Sequence, residues 1–252
     1  MSSLAGVKKI GLVSSVPEEG SRLINLLPTK STIGGKPFSR GRFAGKQIVY
    51  VVSGMGKTNA AHAATLLIEK FSLDLVILFG VGGAYPASGL RIGDIAVAVK
   101  EVYGDEGVLT KDGFRGTEAI GIPFLKKKGK SYFNEFPLDK RLVQDLLGII
   151  PPCPPLEKGG RGNFQIRSGI FVTVSTCTGT RKRAIELEKR FGALCENMEG
   201  AAIAHICALY GTPVAEMRGI SNIVEDRNRR KWDIPLAAGN CQSLVMEVLK
   251  SL

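Results

Sequence analysis

Apolar residues in the N-terminal third of the chain fall into short continuous runs, and segments with helical spacing separate these runs. The run at 10–13 is bounded by serines and a proline and predicts a buried strand, with a helix following at 18–27. The runs at 48–52 and 75–79 predict two further buried strands on either side of an alanine-rich helix at 57–71. Because strands that alternate with helices in this way form parallel sheets covered by helices, the pattern predicts an α/β fold.

The middle of the chain departs from this alternation. A strand is predicted at 93–102, but residues 104–136 mix glycine, lysine and scattered aromatics without periodicity. This stretch predicts a long excursion from the core, and excursions of this length are usually functional or disordered. A helix is predicted at 138–149, and a loop rich in proline and glycine at about 150–162. A strand at 170–174 then returns to the core.

The last third resumes the regular pattern. The elements predicted there are, in order, helix 181–191, strand 193–195, helix 198–210, strand 214–220 and helix 235–252. No repeat and no domain boundary interrupts the pattern, so we predict a single domain over residues 1–252. In open α/β sheets ligands bind beyond the carboxyl ends of the strands, and the functional residues are expected there.

Composition narrows the class of protein. The 252 residues are 44% hydrophobic and 23% charged, as is typical of a soluble globular protein. No apolar run approaches the roughly 20 residues of a membrane span, and residues 1–13 lack the features of a signal peptide, so we predict a cytoplasmic protein without a membrane partner. The net charge of +11 would suit nucleic acid or an acidic small substrate, but the basic residues are spread thinly and lack interleaved aromatics. We therefore predict no nucleic-acid partner.

Cysteine, histidine and the glycine motifs do not indicate a cofactor. Five cysteines without C-x-x-C spacing argue against a disulfide framework and a zinc site, and there are two histidines. The segment 54–58 resembles the end of a phosphate-binding loop, but Val51 stands where the first glycine is needed. The segment 80–82 begins like a dinucleotide site, but Tyr85 stands where the third glycine is needed. Because glycine has no side chain, both segments still indicate a close approach of backbone atoms to another group. We predict no cofactor and no metal, with chemistry that depends on carboxylates and amides.

Three predicted strand ends carry polar residues that packing does not require. They are Glu18 and Glu19 after the first strand, Asn197 and Glu199 before a helix, and Ser221 and Asn222 at a late strand. Each has an ordinary structural explanation as a first-turn helix residue, a helix cap or a turn residue. Taken singly, these structural explanations are favoured.

The same strand ends match a known arrangement in their order and spacing. The matching segments are 10–12 with Glu18 and Glu19, 53–57, 80–83 with Gly93 and Asp94, 197–200, and 218–222. Over nearly the whole chain they resemble the superfamily of purine nucleoside phosphorylases and nucleosidases. Within it, 195–202, 221–222 and 229–234 are most similar to the futalosine hydrolases. The resemblance implies a three-layer α/β/α domain with a mixed, largely parallel central sheet.

The resemblance implies a role for each carboxylate. Glu19 matches the residue that activates water in the methylthioadenosine and adenosylhomocysteine nucleosidases, and a carboxylate near a water is a suitable general base. Glu199 matches the glutamate that accepts hydrogen bonds from the ribose 2′ and 3′ hydroxyls, with Met198 under the sugar. Related phosphorylases hold phosphate with an arginine near the first strand, where Glu18 and Glu19 would repel it. This favours hydrolysis, with Arg218 expected to orient Glu19 or the water.

The resemblance also implies contacts to the base and to the 5′ substituent. The loop expected to approach the base or the ribose with its backbone consists of Gly80, Val81 and Gly82. Asn222 replaces the aspartate of adenine-releasing nucleosidases, and its amide can donate to N7 and to a 6-oxo oxygen, which fits hypoxanthine better than adenine. The residues that match contacts to the 5′ substituent are Met55 and Trp232, for which core packing is the alternative.

We therefore predict hydrolysis of futalosine to hypoxanthine and dehypoxanthine futalosine, a step of menaquinone biosynthesis. The first alternative is a nucleosidase for methylthioadenosine, adenosylhomocysteine or aminofutalosine, and the second is a phosphate-dependent purine nucleoside phosphorylase. A non-catalytic nucleoside-binding module would keep Glu199 without needing Glu19. Arg227, Arg229 or Arg230 could meet the substrate carboxylate or could be solvated surface residues. The resemblance also implies a homodimer in which 104–136 closes the neighbour's site.

Overall fold

A computed structural model describes residue 4, residues 6–149 and residues 164–252 of the protein. Over these residues a ten-stranded mixed sheet is combined with six α-helices, which confirms the predicted α/β fold. The predicted loop at about 150–162 lies outside the described residues. None of the helices within the described ranges is long and apolar enough to cross a membrane.

The N-terminal third supplies the parallel centre of the sheet and one edge. Its elements are, in chain order, β1 (Lys9–Ser14), a 3-10 turn (Pro17–Gly20), α1 (Ser21–Leu26), β2 (Thr29–Ile33), β3 (Lys36–Phe43), β4 (Lys46–Val52), α2 (Lys57–Lys70) and β5 (Leu75–Ala84). Strand β1 pairs in parallel with both β4 and β5. The hairpin of β2 and β3, which the sequence pattern did not predict, adds an antiparallel edge to β4. Its residues are mostly exposed or half-buried, and so no continuous apolar run marks the two strands.

The middle of the chain leaves the main sheet and comes back to it. Its elements are β6 (Ile95–Tyr103), β7 (Val108–Thr110), β8 (Gly113–Arg115), a 3-10 turn (Thr117–Ala119), β9 (Leu125–Lys127), β10 (Lys130–Tyr132), β11 (Glu135–Pro137) and α3 (Lys140–Ile149). The predicted excursion therefore consists largely of two short hairpins, β7 with β8 and β9 with β10. Strand β11 rejoins the main sheet by antiparallel pairing with β6.

The last third closes part of the sheet into a ring. Its elements are β12 (Ile166–Thr173), α4 (Arg181–Phe191), β13 (Ala193–Asn197), α5 (Gly200–Tyr210), β14 (Val214–Ile223), a 3-10 turn (Arg229–Lys231) and α6 (Ile234–Ser251). Strand β14 pairs with both β5 and β6, while β6, β12, β13 and β5 are neighbours in that order. The pairings of these five strands thus form a closed ring, and several strand ends meet at one mouth of it.

Helices α5 and α6 cover opposite faces of β14. The Cys241 thiol of α6 lies 3.4 Å from the Met217 carbonyl oxygen, and the Ala237 carbonyl approaches Gly219 closely. Glu216, on the other face because side chains alternate along a strand, lies beside Gly200 at the start of α5. This layering, helix on sheet on helix, brings the start of α5 beside Glu216 and Arg218 in the first half of β14.

Candidate active site

A cavity of about 320 Å³ opens where the ends of β1, β5 and β14 meet the start of α5. Nine of the ten predicted site residues line it, namely Glu19, Met55, Val81, Gly82, Met198, Glu199, Arg218, Asn222 and Trp232. Gly80 lies behind Glu19, where a Cβ would overlap Glu19 Oε1, so glycine leaves the space that the carboxylate occupies. The cavity is within the size range of small-molecule sites.

Glu19 is held by three backbone N–H groups and is 3% exposed. Its Oε2 accepts from the N–H groups of Ser15 at 2.8 Å and Val16 at 3.2 Å, and its Oε1 accepts from the N–H of Val81 at 2.8 Å. Burial raises the pKa of Glu19 above the usual value, although the Arg218 charge and the N–H donors of Val81 and Ser15 oppose the rise. The result is a fixed carboxylate with increased basicity.

Glu199 occupies the N-cap position of α5 and is 4% exposed. Its side chain does not cap the helix, because Asn197 Oδ1 accepts the N–H groups of Glu199 at 2.9 Å and Gly200 at 2.7 Å. The carboxylate instead accepts from the N–H of Gly56 at 3.0 Å and from Arg218 Nη2 at 3.4 Å. The predicted structural explanation therefore holds for Asn197, whereas Glu199 is directed into the cavity.

Both glycine-rich segments bring backbone N–H groups to a carboxylate. The loop that resembles a phosphate-binding motif gives the N–H of Gly56 to Glu199. Residues 80–82, expected as a loop after a strand ending at 79, are instead part of β5, and the N–H of Val81 there donates to Glu19. Gly56 has a φ of 93°, which favours glycine over other residues. The close backbone approach predicted from the two motifs is thus observed, with the protein's own carboxylates as acceptors.

Arg218 connects the two sides of the cavity and is 1% exposed. Its Nε donates to Glu216 Oε1 at 2.8 Å, its Nη1 to the Val81 carbonyl at 3.2 Å, and its Nη2 to Glu199 Oε2 at 3.4 Å. Burial alone would lower the pKa of Arg218, but the carboxylates of Glu216, Glu199 and Glu19 outweigh it and raise the pKa. Arg218 therefore stays charged and is hydrogen-bonded to Glu199, while it acts on Glu19 through its charge.

An irregularity in β14 directs Asn222 towards the cavity. Ile220 is in register with Gly82 and Asn222 with Gly83, so Ser221 is an extra residue relative to β5. The Ser221 hydroxyl lies 2.9 Å from Asn222 Oδ1, and Asn222 Nδ2 donates to the Ile223 carbonyl at 3.2 Å. The Ser221 hydroxyl also lies 3.2 Å from the Gly82 carbonyl oxygen. Because the Asn222 amide has two N–H groups and Ile223 uses one of them, the other is left for a ligand.

Met55 and Trp232 line the cavity and do not belong to the core. Met55 is 64% exposed, and Trp232 is half-buried at the cavity wall. The guanidinium of Arg227 lies over the indole of Trp232, 4.7 Å from the ring centroid, and also lines the cavity.

Three buried carboxyl groups in this region were not singled out as site residues from the sequence. Glu196 lines the cavity and accepts from the Thr178 hydroxyl at 2.6 Å and from the Tyr85 hydroxyl at 3.0 Å. Glu101 and Glu216 lie beneath the start of α5 and are fully or almost fully buried. A charged residue inside a predicted strand is the signal that marks Glu101 and Glu216, although Lys100 and Arg218 in the same strands carry that signal too. Over the described residues, no group of three or more His, Cys, Asp or Glu side chains is arranged to hold a metal ion.

The ring of strands, with two carboxylates and an amide around a buried arginine, defines an α/β enzyme with a site for a small polar ligand. The chain belongs to the Phosphorylase superfamily, whose family model matches residues 9–250.

Relatives and solved structures narrow the class. A futalosine hydrolase of Thermus thermophilus is 33% identical over 202 residues, which cover 79% of this chain and 80% of the relative. A 5′-methylthioadenosine/S-adenosylhomocysteine nucleosidase of an Exiguobacterium species is 28% identical and covers 97% of this chain and 98% of the relative. The crystal structure of such a nucleosidase from Colwellia psychrerythraea in complex with adenine has a TM-score of 0.81 and 26% identity, covering 98% and 96% of the two chains. The predicted enzyme class, an N-glycosidic hydrolase, is confirmed.

Proposed function

We propose that the protein hydrolyses the N-glycosidic bond of futalosine and releases hypoxanthine. The observation that carries this proposal is the amide of Asn222, whose oxygen faces the Ser221 hydroxyl at 2.9 Å and whose amino group can donate. The N–H of Asn222 that is not used by Ile223 can point between N7 and O6 of hypoxanthine, where it meets two acceptors, whereas in adenine it would face the 6-amino group, which is another donor. The likeness to a futalosine hydrolase, at 33% identity, supports the same substrate.

The chemistry assigns a task to each group. As the bond between C1′ and N9 breaks, positive charge develops on the ribose and negative charge on the base. Glu19 takes a proton from the water whose oxygen bonds to C1′, and Glu199 accepts hydrogen bonds from the 2′ and 3′ hydroxyls. Asn222 donates to the departing base, which leaves with the electron pair of the broken bond and then takes up a proton.

Water is the proposed nucleophile because the cavity does not suit phosphate. The cations on its described wall are Arg218 and Arg227. Arg218 already donates to Glu216, Val81 and Glu199, and Glu19 would repel a second anion. We therefore infer hydrolysis over phosphorolysis.

Arg227 and Trp232 support a substrate with an aromatic, anionic tail. All three arginines that could meet the substrate carboxylate are exposed. Arg227 lines the cavity, whereas Arg229 and Arg230 lie on the following turn and are not part of its described wall. An indole with a guanidinium over its ring can contact a flat aromatic group and its carboxylate together. The methylthio group of methylthioadenosine offers no charge for Arg227.

The second candidate is a nucleosidase for methylthioadenosine and adenosylhomocysteine, favoured by the 97% coverage of the Exiguobacterium relative. The deciding experiment measures kcat/KM for futalosine, methylthioadenosine and adenosylhomocysteine. Futalosine should have the largest value, and Arg227→Gln should lower it by about 10- to 100-fold, since a hydrogen bond to a charged group contributes roughly 1.5–3 kcal/mol. The matched variant Arg229→Gln should change none of the values. A higher kcat/KM for methylthioadenosine would favour the second candidate.

We also propose that the protein forms a homodimer through the excursion at 104–136. Leu109 is 83% exposed and Ile122 is 71% exposed, so the excursion presents apolar side chains to solvent. Light scattering should give twice the 27.0 kDa mass of the chain, and a double substitution of both residues to lysine should reduce it towards the monomer mass. A wild-type mass of one chain at micromolar concentration would refute the dimer.

A further inference from the structure

Two buried carboxyl groups meet beneath the first residue of α5, and the proposed reaction uses neither. Glu101 of β6 and Glu216 of β14 both lie so close to Gly200 that a Cβ there would overlap them. A Cβ at Gly200 would lie 2.0 Å from Glu101 Oε1 and 2.5 Å from Glu216 Oε2, so these two oxygens are at most about 4.5 Å apart. Two ionised carboxylates this close in a buried site would repel each other, so one of them holds a proton.

The surroundings determine which group carries the negative charge. Glu216 Oε1 accepts from Arg218 Nε at 2.8 Å, whereas Glu101 accepts from two neutral donors, the Thr173 hydroxyl at 2.7 Å and Asn197 Nδ2 at 2.6 Å. Burial and the adjacent Glu216 carboxylate raise the pKa of Glu101 well above its usual range. The proton therefore belongs on Glu101 and the charge on Glu216.

The charged groups around the pair come from two of the elements packed against it. Strand β14 contributes Arg218, and the start of α5 contributes Glu199, whose charge acts on Glu216. Strands β12 and β13 contribute the neutral Thr173 and Asn197. The Arg218 guanidinium thus donates hydrogen bonds to Glu216 and to Glu199.

Hydrogen bonds lead from the pair to both the backbone and the side chain of Glu199. Asn197, which donates to Glu101, accepts the N–H groups of Glu199 and Gly200 with its oxygen. Thr173, which also donates to Glu101, accepts the N–H of Ala201 at 2.7 Å. Arg218, held by Glu216, reaches the Glu199 carboxylate.

We propose that Glu101 and Glu216 are positioning residues that share one proton, and that the remaining charge on Glu216 holds Arg218 so that Glu199 stays available to the ribose. Without that charge, Arg218 would be attracted by Glu199 and Glu19 alone and would occupy the lone pairs meant for the hydroxyls. The ribose contact rests on the proposed function, whereas the shared proton does not.

The shared proton is tested by infrared spectroscopy at neutral pH on the wild type and Glu216→Gln. The wild type should show the band of a protonated carboxylic acid, and Glu216→Gln should lose intensity in this band although Glu101 is intact. In this variant the new amide donates to Glu101, which then has three donors and can ionise. Equal bands in the two proteins would overturn the shared proton, whatever substrate the enzyme cleaves.

The positioning role is tested by comparing Glu216→Gln with Glu216→Met, which has similar length but no acceptor. We expect kcat/KM to fall by on the order of 100-fold in Glu216→Met, as small misplacements at an active site can cost two orders of magnitude. In Glu216→Gln the loss should be less than about tenfold, because the amide oxygen can still accept from Arg218 and the ionised Glu101 keeps one negative charge beside the guanidinium. The substrate is whichever of futalosine and methylthioadenosine the wild type cleaves. If the proposed function is wrong, the wild type will not cleave futalosine, and the variants are then compared with methylthioadenosine.

A folded Glu216→Met protein with wild-type kcat/KM would overturn the positioning role. If circular dichroism shows that this variant does not fold, Thr173→Val replaces it, since it removes one hydrogen bond to the pair without removing a charge. That variant should lose roughly fivefold in kcat/KM, in line with about 1 kcal/mol for a hydrogen bond. An unchanged value would refute the role equally.

Discussion

The two carboxylates that face the cavity have the same side chain and almost the same burial, yet their surroundings differ. Glu19, at the end of β1, accepts three backbone N–H groups that cannot move independently of the fold. Glu199, at the start of α5, accepts one N–H and a guanidinium at 3.4 Å. Glu19 is thus fixed and has a raised pKa, as suits a base, whereas Glu199 keeps acceptor capacity for hydroxyl groups. Environment, and not residue type, separates the two proposed roles.

The largest effect is expected when Glu19, the first of these two carboxylates, is substituted. Glu19→Gln should reduce kcat by roughly 100- to 10,000-fold, because an amide cannot take the proton from water, while substrate affinity remains nearly unchanged. Single-turnover kinetics and calorimetric titration measure the two quantities. The exposed neighbour provides the control, and Glu18→Gln should retain wild-type kinetics. Near-native turnover of Glu19→Gln would show that another group activates the water.

The next largest effect is expected on the Glu199 side. Glu199→Gln should lower kcat/KM by about 10- to 100-fold and should weaken substrate binding as well, because hydrogen bonds to a charged acceptor contribute roughly 1.5–3 kcal/mol. The dissociation constant of the substrate, measured in both variants, separates the two carboxylates. Equal affinity losses in Glu19→Gln and Glu199→Gln would contradict the division of roles.

A smaller effect concerns the base. The wild type should prefer 6-oxopurine over 6-aminopurine nucleosides by roughly 10- to 100-fold, since an unpaired buried donor costs about 1–3 kcal/mol. Asn222→Asp should narrow or reverse this preference, because a protonated carboxyl can donate to N7 while its other oxygen accepts from the amino group. The kcat/KM ratio for futalosine and aminofutalosine measures it, and a ratio near one in the wild type would show that Asn222 does not select the base.

The smallest effect is a shift in pH dependence. Burial raises the pKa of Glu19 above the usual 4.5, and the base must be ionised to act. Turnover should therefore decline as the pH falls through this raised pKa, at a higher pH than an ordinary glutamate would give. The acid limb of kcat/KM against pH measures the shift. A limb at or below the usual value would contradict the proposed environment of Glu19.

The centre of the sheet and most of the residues that line the cavity could be predicted from the sequence. Buried parallel strands give continuous apolar runs, and their carboxyl ends converge on one edge, where functional residues were expected. The resemblance to the superfamily, and not the strand pattern alone, singled out Glu19, Glu199 and Asn222 as residues of one site. The hairpin of β2 and β3 was missed because exposed edge strands lack such runs. The pairing of Glu101 with Glu216 was also missed, because it depends on β6 and β14 becoming neighbours, and no local pattern encodes that contact.

The central claim is that the Glu19 side of the cavity delivers water to a nucleoside bond. The most direct test incubates the wild-type enzyme with futalosine in phosphate-free buffer and in buffer with phosphate, followed by chromatography and mass spectrometry of both products. We predict equal release of hypoxanthine in the two buffers and a sugar product with a free anomeric hydroxyl. Turnover that requires phosphate, together with a sugar 1-phosphate, would contradict the claim.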